Sequence, residues 1–155
     1  MALLAIVPAS LGAQQRYWYD AGVRRDLWAE PGLSADFSAR RHSAKAQVLA
    51  PAGLAKPAAA EDSTVFRDGP SSGAGLRALA GGVIVRLRPG TGPSEREALF
   101  ARHALALARP IGAQDRVWLV AAPQGVDSLE LANRLHESGD FESASPNWWK
   151  ERARK

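Results

Sequence analysis

The chain has 155 residues, room for one domain or for one small domain with flexible sequence attached. Its 46% hydrophobic content leans on alanine, which buries little area, so the core is smaller than that figure suggests. Cysteine is absent, which excludes a disulfide framework, a thiolate nucleophile and thiolate metal ligands, and the net charge of +4 implies only a weak attraction for anionic partners.

Residues 1–13 read as a signal-peptide-like segment. Leu3, Leu4, Ile6, Val7 and Leu11 make an apolar run, and small residues around Ser10, Gly12 and Ala13 suit cleavage. A membrane-spanning helix needs roughly 20 apolar residues, so no stable membrane insertion is expected. The run lacks the basic residues that usually precede it. Export to the periplasm or medium is the expectation, and a buried strand or short helix is the structural alternative.

Arg16 to Trp28 predicts a β-hairpin. Tyr17-Trp18-Tyr19 is strongly β-prone, and Asp20-Ala21-Gly22 supplies the turn, with Gly22 free to take positive φ. A lone hairpin is marginal in water, so it should dock on something. Its aromatics suit cross-strand pairing first, and a carbohydrate or partner surface second. Residues 29–81 are rich in Ala, Gly, Pro and Ser and predict a largely irregular linker. Strand islands are expected at Leu33 to Ser38 and Thr64 to Arg67, a helical turn between Ala39 and Leu49, and a boundary at Pro70 to Gly75.

From Gly82 the pattern sharpens. Val83, Val85 and Leu87 alternate with Arg86 and Arg88, the signature of a half-buried strand. Pro93-Ser94-Glu95 opens a helix in which Leu99, Phe100 and His103 share a face. Leu105 to Arg109 and Arg116 to Ala121 predict two strands, the latter apolar enough for burial on both faces. Asp127-Ser128-Leu129-Glu130 reads as a capping box for a second helix with Leu131, Ala132 and Leu135 inside. Asp140 to Ser145 is the last strand, stopped by Pro146. These elements predict an α+β domain over residues 82–147, a ferredoxin-like βαββαβ sandwich with a four-stranded antiparallel sheet and two helices on one face. The other face would be bare and in want of a partner, with Ile84, Trp118 and Val120 as candidates; parity alone leaves Val117 and Leu119 equally open.

The run Gly82-Val83-Ile84-Val85-Arg86-Leu87-Arg88-Pro89-Gly90, the apolar Val117-Trp118-Leu119-Val120, Leu129 to Leu135 and the close Ala144-Ser145-Pro146-Asn147-Trp148 resemble prosegments of secreted bacterial subtilisin-like serine proteases. The similarity covers roughly residues 82–150. It implies an intramolecular chaperone and active-site-blocking inhibitor whose partner is a subtilisin-like catalytic domain, in cis or in trans. It also implies a sheet face docked on that domain and a tail laid through its cleft, here Asn147, Trp148, Trp149 and Lys150, with residues 148–155 as a basic C-terminal tail. The sequence contexts of the protease triad (Asp-Ser/Thr-Gly, His-Gly-Thr and Gly-Thr-Ser) do not occur, so no catalytic residue is expected in this chain, which is either a fragment of a protease or a free-standing inhibitor. His42 falls in the linker, while His103 and His136 fall near helix ends as cap or interface residues. Neither has acidic or thiol partners at ligand spacing, so no metal is expected, and Gly90-Thr91-Gly92 lacks the Lys-Ser/Thr of a phosphate loop, so no cofactor is expected. The alternative is a nucleic-acid-binding or small-molecule regulatory module. The first strand offers no aromatic for base stacking and the third only Trp118, so no nucleic acid is expected.

Overall fold

The computed structural model describes residues 16–37, 47–49, 62–70, 75–113, 115–123 and 125–150. Ten elements lie within them, in the order β1 (Arg16–Asp20), β2 (Val23–Asp36), β3 (Gln47–Leu49), β4 (Asp62–Arg67), β5 (Leu76–Arg86), α1 (Pro93–Arg102), β6 (Ala108–Pro110), β7 (Val117–Val120), α2 (Val126–Glu137) and β8 (Ser143–Lys150). All eight strands belong to one antiparallel sheet with the path β1-β2-β4-β5-β7-β6, from which β3 branches off β2 and β8 off β5. The expected ferredoxin-like sandwich with a four-stranded sheet is therefore corrected: the described residues form one eight-stranded sheet carrying two helices.

The spine is β5. One of its edges pairs with β8 along nearly its whole length, while β4 and then β7 share the other. Gly81 and Gly82 interrupt it at φ 84 and 82, inserting two extra residues against β8 between Leu79↔Trp148 and Val83↔Pro146. This bulge divides the sheet into a lower half, made by β1 to β4 with the start of β5 and the end of β8, and an upper half, made by the remainder of β5 with β6, β7 and the start of β8.

In the upper half both helices cover the same face. Val83, Val85, Val120 and Ala144 from the strands, with Leu87 just past the end of β5, meet Leu99 of α1, Ala132 and Leu135 of α2, and Phe141. Pro93 at the first turn of α1 and Glu95 beside it suit the helix N-terminus. The expected capping box is not formed at α2. Gly125, at φ 81, precedes the helix, and Ser128 Oγ donates to its carbonyl at 2.8 Å. Asp127 instead lies in the first turn, where a carboxylate still faces the positive end of the helix.

The lower half is covered on both faces. On the helix side Trp18, Leu27, Phe66, Leu79 and Leu129 form a second core. Opposite, Ala35, Phe37, Val65 and Ala78 form a third. The β1–β2 hairpin turns at Ala21-Gly22, both with positive φ as a two-residue hairpin loop requires. It curls until β1 approaches β8 and α2. Within residues 29–81 the described segments 29–36, 47–49, 62–67 and 76–81 are strand; the expected islands at Leu33 to Ser38 and Thr64 to Arg67 fall largely within β2 and β4, while residues 38–46, 50–61 and 71–74 lie outside the described residues. Of the alanines in these strands Ala35 and Ala78 are fully buried, and the alanine-rich composition concealed the strand at residues 76–81. The stretch expected to hold a helical turn contributes β3 at Gln47–Leu49, and its residues 39–46 fall outside the described residues, as do residues 1–13.

The tryptophans near the C-terminus are part of this sheet. Pro146 does not end the last strand. It sits within β8 opposite Val83, on a strand that pairs along one side only, where a missing N–H costs no ladder bond. Because β8 alternates, Trp148 enters the second core and Trp149 the third. Trp148 makes edge contacts with Trp18 at 5.5 Å and Phe66 at 6.2 Å between ring centres. Arg77, 5% exposed, lays its guanidinium over the rings of Trp18 (4.5 Å) and Trp148 (5.2 Å) and ion-pairs with Asp68. Trp148→Ala is expected to destabilise the fold by about 2–3 kcal/mol, somewhat below the cost at a fully buried aromatic. Urea unfolding checks this, and a loss under about 0.5 kcal/mol, typical of surface sites, would show Trp148 to be outside the core.

Candidate functional site

The side of the upper half-sheet that the helices leave bare is fixed by strand register. Directly opposed residues of an antiparallel pair share a face. Val83 and Val85 point to the helices, so Ile84 and Arg86 point away. Ile84 is opposite Leu119 on β7 and Ser145 on β8, and Arg86 is opposite Val117 and Ser143. Leu119 in turn is opposite Arg109 on β6. The bare face therefore presents three aliphatic side chains, two arginines and two serines across four strands, and these seven positions include no acid. Ile84, Val117 and Leu119 are half-buried and join none of the three cores. Arg86 and Arg109 are exposed, with no ion-pair partner among the described residues. At the β6 edge, Leu107 is 85% exposed and held at φ 54, a region that leucine seldom occupies.

Of the expected face residues only Ile84 lies here. Trp118 and Val120 are opposite Val85 and Val83, so they turn toward the helices. Val120 is fully buried, and Trp118 packs edge-on against Phe100 at 5.6 Å beneath the guanidinium of Arg96 at 4.6 Å. Its indole N–H donates to the Asp115 carbonyl at 3.0 Å. Val117, Leu119, Arg86 and Arg109 take their place. The alternation around Val83 and Val85 already put Arg86 outward; Val117 and Leu119 needed the β5–β7 register.

The expected cleft-filling residues stand in β8. Asn147 donates its amide to the Gly81 carbonyl at 3.0 Å, bracing the bulge. Trp148 and Trp149 pack on opposite sides of the lower half-sheet, and Lys150 is opposite Arg77. Of the expected tail, residues 151–155 lie outside the described residues.

No family model, curated protein or solved structure matches the chain, so residues and geometry carry the functional reading. Among the described residues no group of three or more His, Asp or Glu side chains could hold a metal ion, and no helix is long and apolar enough to cross a membrane.

Two polar clusters that include histidine fasten elements together among the described residues. Tyr17 and Tyr19 donate their hydroxyls to Glu137 Oε1 at 2.9 and 3.0 Å, which pushes both phenols above their ordinary range. Asn133 donates to the Tyr17 carbonyl at 2.9 Å, and His136 stacks on Tyr19 at 4.1 Å. The hairpin is thereby tied to α2, beside a cleft of about 430 Å³. His42 falls outside the described residues, whereas His103 caps the end of α1, where its Nε2 meets Asp140 Oδ2 at 2.7 Å and Arg102 reaches the same carboxylate at 3.3 Å.

The His103 hydrogen bond, followed by Arg102, holds the Asp140 carboxyl below its ordinary value of 3.8. A carboxylate stabilised in the fold contributes above its unfolded pKa and loses that contribution as pH falls through the folded one. Asp140→Asn is therefore expected to lower stability at neutral pH and to flatten its decline below about pH 4. Urea melts of both proteins from pH 7 to pH 2 check this; parallel curves would refute the clasp.

Proposed function

We propose that this chain is the prosegment of an exported subtilisin-like serine protease, acting by binding the folded catalytic domain as chaperone and inhibitor and carrying no reaction of its own. The observation that supports this most is the one-sided upper half-sheet. Its two helices lie together on one face, and the other offers Ile84, Val117 and Leu119 framed by Arg86 and Arg109. Arginine around an apolar centre is the composition of a protein-binding surface. The similarity of residues 82–150 to such prosegments supplies the identity of the partner.

The position of the closing residues changes how the cleft would be reached. Drawing Asn147 to Lys150 into an enzyme would strip β8 from β5 and empty two cores of a tryptophan each. A strap, on this reading, begins at Glu151. Base stacking, the basis of a nucleic-acid reading, is disfavoured by the turning of Trp118 under α1.

The full chain is expected to inhibit peptide hydrolysis by mature subtilisin-like endopeptidases. The double substitution Ile84→Asp and Leu119→Asp should weaken inhibition at least about tenfold, the cost of losing central apolar contacts, while circular dichroism and the unfolding midpoint stay near wild type. Full inhibition by the double variant would remove the sheet face from the mechanism, and no inhibition by the wild-type chain across a panel of such enzymes would remove the proposal.

A further inference from the structure

The bare face also specifies the charge of what covers it. Arg86 and Arg109 are the charged residues at its register positions, both exposed and without an ion-pair partner among the described residues. Several arginines elsewhere on the molecule are ion-paired, Arg116 with Glu142, Arg102 with Asp140, Arg67 with Glu30 and Arg77 with Asp68, and Arg24 and Arg96 lie over aromatic rings; what sets Arg86 and Arg109 apart is that they flank uncovered aliphatic side chains. A partner that covered the patch without answering these two would desolvate unpaired cations, at a cost apolar contacts of this size do not offset.

We propose that the partner's docking surface is acidic, an apolar patch flanked by two carboxylates that pair with Arg86 and Arg109. This extends the docking role proposed above to the chemistry of the docked surface. The spacing follows from the sheet. Arg109 is opposite Leu119, which is opposite Ile84, and Arg86 lies two residues further along β5. Two strand spacings across and two residues along separate the two Cα atoms by about 12 Å on a diagonal. Acidic residues at positions i and i+7 of one helix lie about 10.5 Å apart on the same side of it, so one helix laid along that diagonal answers both arginines. A second copy of this chain fits poorly, because its own Arg86 and Arg109 would come to the same surface. Nucleic acid would satisfy the arginines but leave Ile84, Val117 and Leu119 without an aromatic neighbour to stack its bases.

The test uses the full chain and three probes. Two are designed helical hairpins with the same leucine face, one carrying Glu at i and i+7 on the flank and the other Lys at those positions; the third is a single-stranded RNA. Binding is read by fluorescence titration at low and high salt. The Glu hairpin is expected to bind at least about tenfold more tightly than the Lys hairpin, as two surface ion pairs allow. That preference should shrink with salt and vanish in the Arg86→Glu, Arg109→Glu double variant. Equal binding of the two hairpins, an unchanged preference in the double variant, or displacement of the Glu hairpin by RNA overturns the acidic partner. Failure of protease inhibition alongside a strong Glu preference refutes the protease and leaves the acidic surface standing; inhibition without that preference does the reverse.

Discussion

The architecture depends on a two-glycine bulge in the middle of one strand. Gly81 and Gly82 take φ values near +80°, which side chains other than glycine adopt only with strain. A Cβ on Gly82 would also come within 2.9 Å of Leu119 Cδ1 and 3.2 Å of the Val120 carbonyl. The bulge is tied in from three sides: Gly82 N–H donates to the Ala122 carbonyl at 3.0 Å, Asn147 donates to the Gly81 carbonyl, and Gly125 N–H donates to the Leu79 carbonyl at 3.4 Å. It lets β5 leave β4 and take up β7 while β8 follows on the other edge. One strand therefore belongs to two half-sheets, one covered on both faces and the other on one.

The two tryptophans of β8 fix the register of that strand in the lower half. They occupy successive positions, so alternation sends them to opposite faces, each into a core that also contains β4 and β5 residues. A one-residue slip of β8 would exchange their faces and leave neither fitted. Arg77 adds to this on the helix side. Its guanidinium meets the faces of Trp18 and Trp148 and the carboxylate of Asp68, so the hairpin, the spine and the last strand meet at one buried cation. Asn147 to Lys150 are thereby committed to the sheet.

Legibility in the sequence followed pattern length. The β1–β2 hairpin showed itself through Tyr17-Trp18-Tyr19 and the turn at Gly22, and the elements from β5 to β8 through alternation and helix-start chemistry. Their bounds moved where tertiary packing outweighed local signals: Pro146 reads as a stop but sits harmlessly in a one-sided strand, and Gly81-Gly82 reads as a boundary but is a bulge inside β5. The larger failure was the alanine-bearing strand outside the expected islands. Ala29 and Ala78 carry no β signal of their own, and only neighbours such as Phe66 and Trp149 make them core residues. Within the site, Ile84 and Arg86 followed from periodicity, while the outward turn of Val117 and Leu119 followed from pairing, which one sequence does not encode locally.

The size of the bare face limits what it can do alone. Four strands span about 14 Å and four residues along a strand about the same, a patch on the order of 200 Å². A stable protein interface takes about 800 Å² from each partner. Three half-buried aliphatics and two arginines thus suffice to orient a partner, and by themselves leave the complex weak. One further feature stands beside it, the exposed Leu107 with Ile111 at the β6 edge; the prosegment reading adds the segment that follows Lys150. Joining a weak face to a second contact through the same chain raises the effective concentration of that contact into the millimolar range when the connection is short. Binding divided in this way is tight when both contacts are made and is released when either is cut. On the prosegment reading, cleavage of the strap after β8 would free the enzyme, because the face left behind is too small to hold it.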